Sequence, residues 1–276
     1  MFQEERLALI LEYLQKNNRI SVEQICTLFH VSRDTARRDL VRLEEDKTIV
    51  RTRGGAILPT VHHEIKDYSN RLHIVSEEKR TIGQIAASLI TSGDRVILDA
   101  STTVQSCAEQ LGPIDCTIIT NSINLAEVLS SNPSVTIQLL GGTLHKEHRF
   151  LYGSSVVEKL SEYIADKAFI GVVGVSEHGL TLAHEEDGMV KRKMIKQAKQ
   201  VIVLADHTKL GKTEYFRFAN LADIDLLITD QTPQQQFLDL LKEHKVELLT
   251  TDNPGQRVSL TDDDMVVGII FITLLA

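Results

Sequence analysis

Apolar residues in the first sixty positions recur at the spacing of short amphipathic helices. Leu7, Ile10, Leu11 and Leu14 stripe one helix, Val22, Ile25, Leu28 and Phe29 a second, and Ala36, Leu40 and Leu43 a third. Two β-prone runs follow, Ile49-Val50-Arg51 and Ala56-Ile57-Leu58, flanking Thr52-Arg53-Gly54-Gly55, whose glycines permit a tight turn. From Glu77 the pattern changes to alternating helices and strands. Ile82, Ile85, Ala86 and Leu89 mark a helix. Strands are predicted over Arg95 to Asp99, Thr117 to Thr120, Val135 to Leu140, Ala168 to Val175, Val201 to Ala205, Leu226 to Thr229 and Val246 to Thr250. Helical stretches separate most of them, including Ser122 to Ser131, Val190 to Lys199 and Gln234 to His244. Such alternation predicts an α/β domain with a mainly parallel sheet covered by helices.

The helix boundaries near the amino terminus are chemically marked. Ser21-Val22-Glu23-Gln24 matches a capping box, and Ser32 can accept the first orphan amides of the third helix, with only His30-Val31 between the two. This is the layout of a helix-turn-helix, and the β-hairpin after it would form a wing. At roughly 100° per residue, Arg38 falls nearly opposite the buried stripe. The outward surface of the third helix carries Ser32, Arg33, Asp34, Thr35, Arg37, Arg38 and Arg42, and the hairpin adds Arg51 and Arg53. A helix entering the major groove of double-stranded DNA with a basic hairpin near the phosphates would use them in this way. An arginine-bearing amphipathic helix is by itself only a solvated surface, and the glycine-tipped basic hairpin is the second feature favouring DNA.

Composition narrows the reading. The chain has 276 residues and a net charge of −8, which excludes a general basic coat for nucleic acid. Residues 1 to 60 hold ten Lys and Arg against nine Asp and Glu, so the acidity lies in the remainder. The expected organisation is a winged helix-turn-helix over 1–58, a polar linker over 59–76, a larger domain over 77–252 and a tail over 253–276. The tail ends in an apolar run from Met265 to Ala276 that is too short to span a bilayer. With no signal peptide and no membrane span, a cytoplasmic location is expected. Cys26, Cys107 and Cys116 are widely spaced and show no metal-ligand pattern, and His62, His63 and His73 fall in a polar linker stretch. No catalytic residue, metal site or cofactor is expected.

In parallel α/β domains, ligands bind beyond the carboxyl ends of the strands. Four loops there are polar. Asp99 leads through Ser101, Thr102 and Thr103 into a helix; Thr120, Asn121 and Ser122 do the same after the next strand; Gly141 and Gly142 end a third; Asp206 and Lys209 end a later one with a cation. Any one of these could be a simple helix cap. Together on one sheet edge they suggest an anion site for a phosphorylated small molecule.

These motifs resemble the DeoR-type family of transcriptional repressors. Val31-Ser32, Thr35, Arg37-Arg38-Asp39-Leu40, Leu43-Glu44 and Arg51 through Gly54-Gly55-Ala56 match the family's winged-helix signature. Ala36 stands where Ile is usual, and Lys47 where Gly commonly ends the helix. In the larger domain Asp99 with Thr102-Thr103, Thr120-Asn121-Ser122, Gly141-Gly142, Asp166 to Gly171 and Asp206 with Lys209 match a sensor domain similar to ribose-phosphate isomerases, with Ser101 replacing the usual Gly. The resemblance implies a regulator of a sugar-uptake or sugar-metabolism operon that binds operator DNA and a phosphorylated sugar and works as a homo-oligomer. The related isomerases carry an acidic loop. The corresponding Ile170-Gly171-Val172-Val173-Gly174 has no carboxylate, which implies a sensor and not an enzyme. The alternative is a sugar-phosphate isomerase or deaminase with an accessory DNA-binding head, in which Glu185, Glu186 or Asp187 would supply the base.

Overall fold

The computed structural model describes residues 3–17, 19–46, 48–52, 54–57, 68 and 77–252. The chain divides into two units, Met1–Ile65 and Lys66–Ala276, each with its own core. The division falls within the expected linker. Apart from Tyr68, the 59–76 stretch lies outside the described residues, as do Arg53, Lys47 and the 253–276 tail.

In the first unit, helices α1 (Gln3–Asn17), α2 (Val22–Phe29) and α3 (Arg33–Glu45) surround one small core. Ile10, Leu14, Ile25, Ala36, Leu40 and Leu43 are buried in it, as their periodicity requires. Leu28 is the exception on the α2 stripe: it is exposed, and Cys26 packs against the core instead. The strands β2 (Val50–Thr52) and β3 (Gly55–Ile57) form the expected hairpin, and a third strand, β1 (Arg19–Ser21), which the sequence pattern did not mark, pairs antiparallel with β3. Gly55 makes that pairing possible, because a Cβ there would lie 2.1 Å from the Ile20 carbonyl oxygen.

The second unit is built on a seven-stranded sheet in which every pairing is parallel. Its strands are β4 (Arg95–Leu98), β5 (Cys116–Thr120), β6 (Val135–Leu139), β9 (Ala165–Gly171), β12 (Ala198–Leu204), β14 (Leu226–Thr229) and β15 (Glu247–Thr250), in the order β15-β14-β12-β9-β4-β5-β6. The chain runs outward from β4 to β6, then returns to the other side of β4, so the direction reverses between β4 and β9. Helices α4 (Glu77–Ser88), α5 (Thr102–Glu109), α6 (Ile123–Leu129), α7 (Ser154–Leu160), α8 (Glu185–Lys196) and α9 (Gln235–Glu243) accompany it. Two apolar clusters, one centred on Val96, Leu98 and Phe169 and the other on Ile97, Ala168 and Ile170, take alternate residues of β4 and β9, as burial on both faces demands.

The structure adds two antiparallel elements to the parallel plan. A hairpin joins β7 (Thr143–His145) to β8 (Phe150–Tyr152). A small sheet joins β10 (Gly174–Ser176), β11 (Gly179–Leu182) and β13 (Phe216–Ala219). The single strand expected over Ala168 to Val175 is therefore two. At Gly174 the chain passes the Lys212 carbonyl so closely that a Cβ would lie 2.4 Å from its oxygen, and β10 leaves the main sheet there. The helix expected over Val190 to Lys199 starts earlier, at Glu185. Three acidic residues in its first turn suit the positive end of the helix dipole.

Candidate nucleic-acid interface and ligand site

The first unit holds α3 by both ends. Ser32 Oγ accepts the Thr35 amide at 3.2 Å and contacts Thr35 Oγ1 at 2.9 Å, so these two hydroxyls build the helix start. At the other end Thr48 donates from its hydroxyl to the Leu43 carbonyl at 2.8 Å and from its amide to the same oxygen at 3.0 Å, satisfying the last turn. His30 makes the bend between α2 and α3 with a left-handed φ of 53°. Asp39, a signature residue, points inward: it accepts from Arg6 Nε at 2.5 Å and Nη2 at 3.1 Å and is completely buried. That hydrogen bond, against the opposing effect of burial, holds the Arg6 guanidinium above its ordinary range. The pair ties α1 to α3.

The outward face is cationic. Arg37 and Arg38 are exposed and have no ionic partner among the described residues. The other arginines are compensated: Arg33 by Glu23 at 2.9 Å, Arg42 by Glu45 and Asp46 at 3.8 and 3.7 Å, and Arg51 by Glu44 at 3.8 Å. All these side chains are well exposed, so the pairs are weak and an incoming phosphate can displace them. Asp34 lies exposed in the first turn of α3.

In the second unit the polar loops follow β4, β5, β6 and β12. Because the sheet is parallel, all four leave its carboxyl edge, within the five consecutive strands β12-β9-β4-β5-β6. The centre of the arrangement is the reversal between β4 and β9. There Asp99 is buried, accepts the Ser101 amide at 2.9 Å and the Gly171 amide at 2.8 Å, and is ion-paired with Lys191. Lys191, on α8, also donates to the Gly171 carbonyl at 2.8 Å and lies 3.7 Å from Asp187. Asp99, expected from its loop to contact ligand, has both oxygens engaged within the protein and positions the two loops. A basic residue in the middle of an amphipathic helix gives no sign that it will reach across to another strand's loop, and Lys191 went unmarked for that reason.

Ser101 adopts an extended φ of −87°, so the absence of the usual glycine strains nothing. Its hydroxyl caps α5 by accepting the Val104 amide at 3.2 Å, and its own amide is occupied by Asp99. The amides of Thr102 and Thr103 open α5 without a partner among the described residues, beside two hydroxyls that are largely buried. Thr120 and Ser122 are completely buried and serve the turn: Thr120 Oγ1 accepts the Ser122 amide, and Ser122 Oγ accepts the Leu125 amide. Asn121 differs. Its Nδ2 donates to the Leu151 carbonyl at 2.9 Å, which fixes the amide's orientation and leaves Oδ1 buried without a partner among the described residues. Gly142 is a packing residue, since a Cβ would lie 2.5 Å from Val156 Cγ2; Gly141 faces open space. Asp206 Oδ1 accepts the Thr208 amide at 3.1 Å in the turn after β12, and partly exposed Lys209 in that turn has no ionic partner among the described residues. Cys107 is buried, and burial pushes its thiol up to about 12, which leaves no thiolate for chemistry.

Two matches to known families cover these units. Residues 6–61 match the DeoR-like helix-turn-helix domain, and residues 74–231 match the DeoR C terminal sensor domain. The chain belongs to the DeoR family. It is 69% identical over 252 residues to the HTH-type transcriptional repressor GlcR of Bacillus subtilis, covering 91% of this chain and 98% of that protein. It is 31% identical to the Glycerol-3-phosphate regulon repressor of Haemophilus influenzae, covering 87% of this chain and 94% of that protein. A ribose 5-phosphate isomerase from Methanocaldococcus jannaschii aligns at 20% identity with a TM-score of 0.35, over 48% of this chain and 53% of that one, a likeness too slight to carry an argument. As a member of this family the chain is a DNA-binding transcriptional repressor, with a helix-turn-helix domain in the first unit and a sensor domain in the second. Among the described residues no helix is long and apolar enough to cross a membrane.

Proposed function

We propose that the sensor domain binds a phosphorylated sugar at the carboxyl edge of its sheet and that binding there changes the affinity of the winged helix for operator DNA. The observation that carries the reading is the convergence of four polar loops around the β4–β9 reversal of an all-parallel sheet. The free amides of Thr102 and Thr103 and the cation of Lys209 suit a phosphate. The buried Asn121 Oδ1 suits a sugar hydroxyl, because an unsatisfied buried acceptor gains most from a donor that enters dry. Control of DNA binding then requires unequal effector affinity for two conformations.

The repressor acts in the cytoplasm as a homo-oligomer, since paired half-sites raise the affinity of a single weak winged helix. It does not turn its ligand over. Asp99 accepts from the Ser101 and Gly171 amides and from Lys191, so its carboxylate is committed to holding the two loops together and is poorly placed to act as a base. The reading is tested with Lys209→Ala and Thr102→Ala. Each should abolish the response of operator binding to a sugar phosphate while leaving operator binding without ligand nearly unchanged. Unaltered effector affinity by calorimetry in both variants would place the phosphate elsewhere. Proton exchange at the sugar carbon, followed by NMR in deuterated solvent with stoichiometric protein, would count against a pure sensor.

A further inference from the structure

Three histidines far apart in sequence come together at the β7–β8 hairpin. His145 ends β7, His148 lies in the turn, and His184 immediately precedes α8. A ring nitrogen of each lies within 4.8 Å of those of the other two, and the ring centroids are 4.6 Å (His148–His184), 4.9 Å (His145–His148) and 5.5 Å (His145–His184) apart. His148 is 4% exposed and the other two are half-buried. The ring of His184 has no hydrogen-bond partner among the described residues.

The hairpin that presents two of the rings is held firmly. His145 pairs with Phe150, whose ring stacks on it at 5.0 Å and 20°. The Tyr68 amide donates to the Glu147 carbonyl at 3.1 Å, Arg149 Nε donates to Asn124 Oδ1 at 2.5 Å, and Leu151 exchanges hydrogen bonds with Asn121. The third ring sits at the start of the helix that sends Lys191 to Asp99. Rigid elements therefore support the cluster from three directions.

We propose that His145, His148 and His184 bind a divalent first-row transition ion of the zinc class, leaving one coordination position open. A zinc–imidazole distance of about 2.0–2.1 Å sets tetrahedral nitrogens roughly 3.4 Å apart, so rings whose nitrogens lie within 4.8 Å close on an ion by small side-chain rotations. Three neutral nitrogen donors without a carboxylate favour zinc, cobalt, nickel or copper over magnesium or calcium. The alternative is an aromatic filler in which the three rings merely stack. Filler does not need ring nitrogens of three residues gathered within 4.8 Å, and a buried polar ring such as His148 is a costly way to fill space. One existing bond is given up on loading: the His148 amide donates to His145 Nδ1 at 3.3 Å, and that ring has a single lone pair to offer. The bond is long, and an ion replaces it with a stronger partner. Since none of the ligands carries charge, the bound ion keeps its full charge for a water or anionic oxygen at the open position. The ion would also clip residues 145–148 to the start of α8.

The test uses the full-length chain stripped with a chelator and titrated with cobalt(II), then zinc(II). One equivalent of cobalt should give the intense visible bands of tetrahedral coordination, displaced by zinc, and zinc should raise the melting temperature. His145→Ala and His184→Ala should each weaken zinc at least tenfold, while His178→Ala, an exposed ring outside the cluster, should not. Because a variant could lose its fold, imidazole nitrogen resonances of the wild-type chain provide an independent check: of its ten histidines, zinc should move three into the metal-bound range. Absence of a tetrahedral cobalt spectrum, zinc affinity unchanged from wild type in both cluster variants, or loss of binding on His62→Ala or His63→Ala in place of the cluster variants would overturn the proposal.

Discussion

Replacing Lys191 with Met should destabilise the sensor domain by about 3 kcal/mol, because removing one partner of a buried ion pair leaves the other charge unpaired at a cost of roughly 3–5 kcal/mol. The structure places the effect at the low end of that range. Lys191 and Asp99 are 5% and 1% exposed, so solvent does little to screen the orphaned carboxylate, yet the Ser101 and Gly171 amides still donate to it. Met preserves the stem's volume, so the measurement reports charge more than cavity. The Gly171 carbonyl also loses a donor, which adds to the same direction. A domain of this size changes melting temperature by about 2–4 °C per kcal/mol, so thermal unfolding followed by far-ultraviolet circular dichroism should fall by roughly 6–12 °C. The double variant Asp99→Asn/Lys191→Met should lose much less than the sum of the two single changes, since the charge that suffers is no longer present. A loss below about 1 kcal/mol for Lys191→Met, or simple additivity, would show that the pair behaves as a solvent-screened surface pair and that the β4–β9 junction is held by backbone contacts alone.

Three further outcomes are expected. Arg38→Ala should weaken operator binding by about 1–3 kcal/mol and blur discrimination between operator and unrelated DNA, whereas Arg53→Ala should lower affinity for all DNA alike and reduce the salt slope by about 1; an unchanged specificity ratio in fluorescence anisotropy titrations of the Arg38 variant would mean that its side chain reads no base edge. Gly171→Ala should destabilise the sensor domain by about 1–3 kcal/mol, because the new Cβ would lie 2.0 Å from Ser101 Oγ, and Ser101→Gly in the same chain should restore most of the loss, since glycine is nearly as good an N-cap; failure of that rescue in urea unfolding would locate the strain elsewhere. Asp166 clamps the amino ends of three neighbouring strands by accepting from Arg95 and then Lys199, and these bonds hold its carboxyl well below the usual carboxylate range. Since the folded-state value is depressed, its stabilisation is present above about pH 4 and is lost as the pH falls toward the folded-state value, so wild type and Asp166→Asn should differ in unfolding midpoint at pH 7 and converge in acid; a constant gap at every pH would exclude this linkage.

Local signals determined most of the architecture. The helix-turn-helix was legible because periodicity, a capping box at Ser21 and a cap at Ser32 are contained within a few residues, and the parallel sheet because strands buried on both faces read as apolar runs between amphipathic helices. The polar loops were legible as a group, since a parallel sheet puts every strand's carboxyl end on one edge. What no sequence window contains is which distant groups meet. Strand β1 is three residues long and exists only because Gly55 admits its partner; Asp39 lies on the inward side of α3, but the arginine that makes its burial tolerable, Arg6, is 33 positions away. In the same way Asp99 and Lys191, 92 residues apart, become one buried unit only after α8 packs against the β4–β9 junction. The three histidines converge only because the β7–β8 hairpin folds against the start of α8. Side-chain chemistry and local periodicity are properties of the chain, whereas burial and pairing across the sheet depend on tertiary packing, and they decide whether a charged group faces a ligand or holds the fold together.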